Sequence, residues 1–439
     1  MNKSIVMAGG KGERLWPLTE PRPKPNVYIG GNKRILEYIV DGLVDAGFYD
    51  IHMATQYRKD DIMRYFGDGS AFVYNGEPLK FVYIYDLKDE MNGTADSIRK
   101  SRIWVANLRI KEKRTGIETY LSGEEKQRFI LEKFTKQPQH WEVLSYEEDF
   151  ENVVVSSGDA LTNMDYQKMI EFHKKSGAFA TIATVKVPLK RLEELGSVSI
   201  NKEGMIKKFY EKENPKKLPE DIQQNPLANA GIYIFDKGIF KMLNKMEKVL
   251  DWGHDFFHRI DLLVKEFPEY KEELSKIFAF SDNNPEFFWD DIGTIDSYRN
   301  ANMRLIDGIP KITTFSRKVR EQESNTVKGT VKHSLLGEGC EIYGTVEDCV
   351  LGNDVYVGKD TYLKGCVLNT QAKVGNNQNG EGWIVDRLAE VKEGAKIGKN
   401  VVIGRNSTIL PNATVMNETK IGAGMNVEEG IEVEGELKV

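Results

Sequence analysis

VDRLAE-VKEGAK-IGKNVV-IGRNST-ILPNAT-VMNETK-IGAGMN-VEEGIE-VEGELK-V, residues 385–439, carries an aliphatic residue at every sixth position without a miss: Val385, Val391, Ile397, Ile403, Ile409, Val415, Ile421, Val427, Val433 and Val439. Glycine often follows it, as in Ile397-Gly398, Ile403-Gly404 and Ile421-Gly422. A period of six fits neither the 3.6 residues of a helix nor the alternation of a single strand. It is the pattern of a parallel β-helix built from hexads, each forming one side of a prism with its aliphatic residue pointing inward. Leu351, Val357 and Leu363 keep the same step upstream, before a loop around 369–382 that shifts the register. A left-handed parallel β-helix is therefore expected over 325–439. Such coils bury a core only by stacking, and their flat outer faces commonly pair with another subunit, so a homo-oligomer is expected, possibly through the β-helix.

Upstream of about residue 310 the rule changes. Short apolar runs at Ser4–Met7, Ile51–Ala54, Phe81–Ile84, Val153–Ser156, Ala180–Val187 and Gly231–Phe235 read as strands. Ile35–Ala46 and Tyr166–Lys175 have helical spacing. The alternation predicts an α/β, Rossmann-like, mostly parallel sheet covered by helices, over residues 1–310. Ligands of such sheets bind at the carboxyl ends of the strands. Residues 105–150 interrupt the pattern with charged runs (KEKRTG, SGEEKQR) and read as a solvated insertion, helical if ordered.

At 439 residues the chain is too long for one core. Its 40% hydrophobic and 29% charged residues place it in the globular class. A net charge of −6 lacks the basic footprint of a nucleic-acid binder. The apolar run Ile5–Ala8 is too short for a signal peptide, and no stretch approaches a membrane span. Cys340, Cys349 and Cys366 match no zinc spacing and, being three, build no disulfide framework. Buried, reduced thiols and a cytoplasmic location are expected.

The chemistry is expected just after the first strand, in Ala8-Gly9-Gly10-Lys11-Gly12-Glu13-Arg14-Leu15, followed by Pro23-Lys24-Pro25. Glycines let backbone N–H groups approach an anion closely. Arg14 adds a planar fork for phosphate oxygens and Lys24 a point charge. The loop is neither a Walker A sequence nor the dinucleotide fingerprint. His254 and His258 share a helical spacing, but no further zinc ligands stand near them.

AGGKGERLWPLTEPRPKP resembles the G-G-x-G-[TS]-R-L…P-K-P signature of sugar-1-phosphate nucleotidyltransferases. Further pieces follow in that family's order: Gly93-Thr94-Ala95, Ser157-Gly158-Asp159, Glu211-Lys212, Asn229-Ala230-Gly231 and Trp289-Asp290-Asp291-Ile292-Gly293-Thr294. The segments KPNVYIGGNKRI, Thr55-Gln56-Tyr57, SGDALTNMDY and DDIGTIDSYRNANM look like bacterial ADP-glucose pyrophosphorylases. Glu13 stands where Thr is usual, Trp16-Pro17 is similar to mannose-1-phosphate guanylyltransferases, and Glu211–Pro215 departs from the usual E-K-P.

The resemblance implies Mg²⁺-dependent transfer of a nucleotidyl group from a nucleoside triphosphate to a sugar-1-phosphate, with release of pyrophosphate. Asp159 and Asp291 would hold the metal, and Arg14 and Lys24 would meet the phosphates. Gly9, Gly10, Gly12, Gln56, Gly93 and Thr94 would bind the nucleotide. Gly196, Glu211, Lys212 and Asn229 would lie along the sugar phosphate. Asp290 is open as an alternative to Asp291, and Lys33 lies near the segment where the family takes a sugar-phosphate effector. The chemistry is self-consistent: a sugar phosphate with a second pKa of about 6 is already an anionic nucleophile, so alignment and charge neutralisation are what the protein must supply.

ATP and glucose-1-phosphate fit the resemblance best. GDP-mannose, UDP-glucose and dTDP-glucose synthesis stay open, as does a non-catalytic regulatory subunit, which would be expected to lack one of the charged residues just named. A coil acyltransferase would need a histidine base, and His333 is the sole histidine after residue 310.

Overall fold

The computed structural model describes residues 2–84, 93–308, 316–317 and 324–438. Val439, at the end of the six-residue series, and the divide expected near residue 310 lie outside the described residues.

The first half is built from β1 (Asn2–Met7), α1 (Ile35–Asp45), β2 (Asp50–Ala54), β3 (Lys80–Ile84), α2 (Thr94–Val105), β4 (Asn152–Ser157), β5 (Ala160–Thr162), α3 (Tyr166–Ser176), β6 (Ala180–Lys186), β7 (Leu227–Asp236), β8 (Ile277–Ser281), β9 (Trp289–Asp291) and α4 (Ile295–Ile306). Strands β3, β2, β1 and β4 pair in parallel in that order. β7 then joins antiparallel to β4, and β6 antiparallel to β7, with β8 parallel to β6. The result is a mixed nine-stranded sheet whose parallel half contains the first strand.

Both faces of this sheet are covered. Val153 and Val155 enter one apolar core and Val154 the other, as the alternation of a strand requires. Helix α1 supplies Leu36, Ile39, Val40, Leu43 and Val44 to the second core, at the i, i+3, i+4, i+7, i+8 spacing of one helical face. It starts where the backbone N–H of Arg34 donates to Glu37 Oε2 at 2.6 Å. Helix α3 starts on Asp165, which accepts from the Lys168 N–H at 2.9 Å.

The segment read as a helical insertion carries strands as well as helix. Asn107–Glu112 pairs antiparallel with both Glu118–Leu121 and Trp141–Glu147, and a short helix, Gly123–Phe129, crosses between them. Leu108, Ile110 and Leu121 are buried beneath it. Lys126 Nζ is buried and donates to the carbonyls of Trp104 and Ala106 at 2.8 and 2.7 Å, at the end of α2, where carbonyls lack donors from a further helical turn.

Downstream lies a left-handed parallel β-helix. Val391, Ile409 and Val427 stack on one side, Val385, Ile403 and Ile421 on the second, and Ile397, Val415 and Val433 on the third. Three hexads therefore make one coil. The stretch expected to loop out, 369–382, is itself coil, with strands at Lys373–Val374 and Asn379–Glu381. The register shifts because Leu351 pairs with Leu368, and Leu368 with Val385, a step one residue shorter than the later coils. Corners are turned by left-handed residues, including Asp354, Asp360, Asn400, Asn406 and Asn412, side chains that tolerate positive φ. All three cysteines are free and buried in this interior.

The two halves share a core. Val350, Val367, Ile384 and Val402 face outward from successive coils and pack with Leu15, Leu18, Val27, Ile29, Ile35 and Tyr298. At its edge Arg22 makes a two-pronged ion pair with Asp386, at 3.1 and 2.9 Å, with both side chains buried. Asn369 also donates to Asp386, at 2.9 Å, and the Tyr298 hydroxyl donates to Asn369 at 3.3 Å. The Ala423 N–H donates to Glu20 at 2.7 Å, and Lys438 lies 4.6 Å from the centre of the Trp16 ring.

Candidate active site

The carboxyl ends of β1 and β4 open into one cleft of about 560 Å³. The loop after β1 is turned by Gly12, whose φ is 70°. A Cβ there would stand 2.8 Å from the Lys24 Cβ, so a side chain is excluded twice, by conformation and by space. The Thr19 hydroxyl donates to the Gly12 carbonyl at 2.9 Å and folds the loop back over Lys24. Lys24 thereby reaches the cleft floor from below, with its side chain only 7% exposed.

There its Nζ meets Asp159 Oδ2 at 2.9 Å and Asp291 Oδ1 at 3.0 Å. Asp159 sits in the turn that enters β5, and β5 pairs antiparallel with β9, which places Ala160 opposite Asp291. Burial alone would lower the Lys24 ammonium, but the two carboxylates outweigh it and hold it above the ordinary lysine value. Desolvation would raise Asp159; the Lys24 charge and the Ser157 hydroxyl, which donates to Oδ1, outweigh it and bring it below the usual carboxylate range. Both carboxylates stay partly open to the cleft, at 33% and 28%. Two converging hard-oxygen donors that already embrace a cation, and have room for substrate oxygens and water, fit a hard divalent ion. Among the described residues no three His, Cys, Asp or Glu side chains gather as a metal set. His254 instead contacts Asp255, at 2.7 Å.

Asp290 lies elsewhere. Successive side chains of a strand point to opposite faces, and Asp290 pairs with Arg191 Nη1 at 3.3 Å. Burial raises it, against the pull of Arg191 and Arg304.

The same cleft is lined by Arg14, Thr94, Gly196, Glu211, Lys212 and Asn229. Arg14 is 64% exposed at the mouth, 4.0 Å from Glu194. Lys212 takes a left-handed backbone, φ 50°, and reaches Glu211 at 3.2 Å. The Asn229 amide donates to the Tyr233 hydroxyl at 2.8 Å. Thr94, expected among the nucleotide contacts, lines the cleft beside Glu211, Lys212 and Asn229: its hydroxyl donates to Asp251 at 2.9 Å and accepts from the Trp252 N–H at 3.0 Å.

Gly9, Gly10, Gly12, Gln56 and Gly93 stand outside this lining. Gly9 packs on Gln56, where a Cβ would come within 3.3 Å of the Gln56 Cβ, and Gln56 Oε1 is a buried acceptor without a partner. Gly93, at φ 131°, backs α2 onto the Leu250 carbonyl. Lys33 is engaged with Asp41, at 3.2 Å.

Tyr233, Asp251 and Trp289 also line the cleft. Sequence reasoning missed all three as site residues. Tyr233 reads as an ordinary strand aromatic, Trp289 enters only as the first residue of the motif that holds Asp291, and Asp251 caps the next turn, accepting from the His254 N–H at 3.0 Å. As built, the site can hold a polyanion against Lys24 and Arg14 while a second anionic substrate enters past Lys212.

No helix among the described residues is long and apolar enough to cross a membrane. The sequence matches the GlmU-like C-terminal hexapeptide family over residues 316–408. It is similar to the glucose-1-phosphate adenylyltransferase of Fervidobacterium nodosum, 29% identical over 409 residues that cover 90% of this chain and 85% of the relative. The enzyme of that name from Koribacter versatilis is 27% identical over 417 residues, 90% of this chain and 89% of the relative. That from Acetivibrio thermocellus is 28% identical over 448 residues, 91% and 92%. Residues 3–110 and 111–308 match the Nucleotidyl transferase family, and the chain belongs to it.

Proposed function

We propose that this enzyme transfers the adenylyl group of ATP to glucose-1-phosphate, giving ADP-glucose and pyrophosphate, with Mg²⁺ held by Asp159 and Asp291. The observation that carries the reading is the convergence of Lys24, Asp159 and Asp291 beneath a cleft that also exposes Arg14, Glu211, Lys212 and Asn229. The metal, when bound, neutralises phosphate oxygens and stabilises charge developing on them.

The rest falls to the chain's own residues. Lys212 draws the sugar phosphate into the cleft, and Glu211 and Asn229 hold the sugar hydroxyls. A phosphate oxygen of the sugar phosphate forms a bond to the α-phosphorus as the bond to the β-phosphate bridging oxygen breaks. No proton need move, because the nucleophile is already ionised near neutral pH. Arg14 and Lys24 take the charge that builds on the departing pyrophosphate. Adenine is favoured by the names of the relatives, and the unpaired Gln56 Oε1 suits an exocyclic amino group, which uracil and thymine lack. The catalytic unit would span 1–310 and the β-helix 325–439, with cytoplasmic, homo-oligomeric assembly through exposed β-helix faces.

The test is pyrophosphate release with Mg²⁺ and glucose-1-phosphate, offering ATP, GTP, UTP, CTP and dTTP separately, with Asp291→Ala alongside. Release with ATP alone, lost in the variant, is the expected result. Release with another triphosphate would overturn the adenylyl assignment. Silence with all five and with other sugar phosphates would overturn the transfer itself.

A further inference from the structure

We infer that Arg191 is a positioning residue for the transfer, latching the cleft wall that meets the sugar phosphate to the strand that carries Asp291; the inference rests on the reading just proposed. Asp290 stands directly before Asp291 on β9 but points away from Lys24, and its side chain is only 7% exposed. A carboxylate so placed is costly unless a cation meets it. Arg191 meets it at 3.3 Å, with its guanidinium 6.0 Å from the centre of the Trp289 ring. That ring is itself fixed, because the Trp289 indole N–H donates to the Ala230 carbonyl at 2.9 Å.

Arg191 lies in the single turn Leu189–Glu193. The next residue, Leu192, is fully buried among Val187, Leu218, Ile222 and Ala228, so the turn has a second anchor. From there the chain passes directly along the cleft as Glu193, Glu194, Leu195 and Gly196. The Gly196 carbonyl accepts from the Asn229 N–H at 2.7 Å. The ion pair therefore joins the floor, which holds Asp291, to the wall, which holds Gly196. Arg191 is absent from the lining of the cleft that holds Lys212 and Asn229, so it sets the separation of floor and wall from outside that cleft. Misplacing reacting groups by about 1 Å costs on the order of a hundredfold in rate, so a loosened latch weakens turnover while the fold persists.

The test compares Arg191→Ala, Arg191→Lys, Asp290→Arg and the exchanged pair Arg191→Asp with Asp290→Arg in the full chain. It records kcat, KM for each substrate and melting temperature. Arg191→Ala is expected to lower kcat roughly 10- to 100-fold, with the KM for the sugar phosphate moving more than that for the triphosphate. Arg191→Lys recovers part of the loss, and the exchanged pair exceeds Asp290→Arg alone by about tenfold, as coupling between touching residues requires. Arg191→Ala within twofold of the parent in kcat and KM would overturn the latch. So would an exchanged pair no better than the single variant, or losses that track melting temperature alone. A parent silent with every substrate would sink the transfer reading and the latch with it; an active parent matched by its variants sinks the latch alone.

Discussion

Replacing Asp386 with alanine, in the β-helix, is expected to damage both stability and turnover. Asp386 is fully buried and is the acidic partner of Arg22, which is itself 6% exposed. Removing the carboxylate strands a guanidinium that has lost two hydrogen bonds, and leaves the Asn369 amide without its acceptor. Breaking a buried pair from one side costs roughly 3–5 kcal/mol, chiefly through the uncompensated charge. For a chain of this size that is a fall of roughly 3–5 °C in melting temperature. Arg22 stands two residues before Lys24, so a displaced guanidinium carries the loop that holds Lys24 with it. A drop of about tenfold or more in kcat follows from that displacement. Calorimetry and pyrophosphate release measure the two effects on one preparation. Replacing both partners together, Arg22→Met with Asp386→Leu, should restore most of the melting temperature, because the charge is gone with its partner. An Asp386→Ala protein that melts within a degree of the parent and turns over as fast would refute the reasoning.

Three further outcomes are expected. Burial pushes His52 down to about 3 and His173 down to about 4, below the ordinary 6.5. Between 6.5 and those values the unfolded chain binds protons that the fold excludes, so stability falls as pH drops through that window, by roughly 3 kcal/mol for His173; melting against pH should show the limb, and His173→Gln should make it shallower while the His52 part stays. Gly12→Ala should cut kcat by at least about tenfold, since its Cβ would press on Lys24 at 2.8 Å in a left-handed backbone; unchanged turnover would remove the loop from the phosphate site. Ile403→Ala empties a fully buried rung of the β-helix and should cost about 2–5 kcal/mol, read from denaturant unfolding.

Much of this was legible beforehand because periodicity reports burial. The hexads named the inward residues of every coil after Val385, and each predicted strand of the first half lies within or across an observed one. The floor of the site was legible for a different reason: Lys24, Asp159 and Asp291 belong to ordered motifs, and one cation with two anions has few ways to sit in a cleft. The segment after α2 was misread because Leu108 and Ile110, and Trp141 and Val143, do alternate, but the charged residues around them hid the short runs. Asp290 and Asp291 could not be told apart by type; the pleat of β9 separates them. Asp251 was invisible because its cleft-facing role depends on Thr94, 157 residues away.

The outward column Val350, Val367, Ile384 and Val402 fixes which side of the prism the catalytic half grips. Growth of the tail is therefore quantised. Adding a whole coil beyond that column returns every later residue to the side it left, whereas adding one hexad turns the remainder by a third of a revolution. Ala423 and Lys438 would then swing away from Glu20 and Trp16. Lengthening of such tails should accordingly be tolerated in whole coils, of the seventeen or eighteen residues that this chain uses along that column, and not in single hexads.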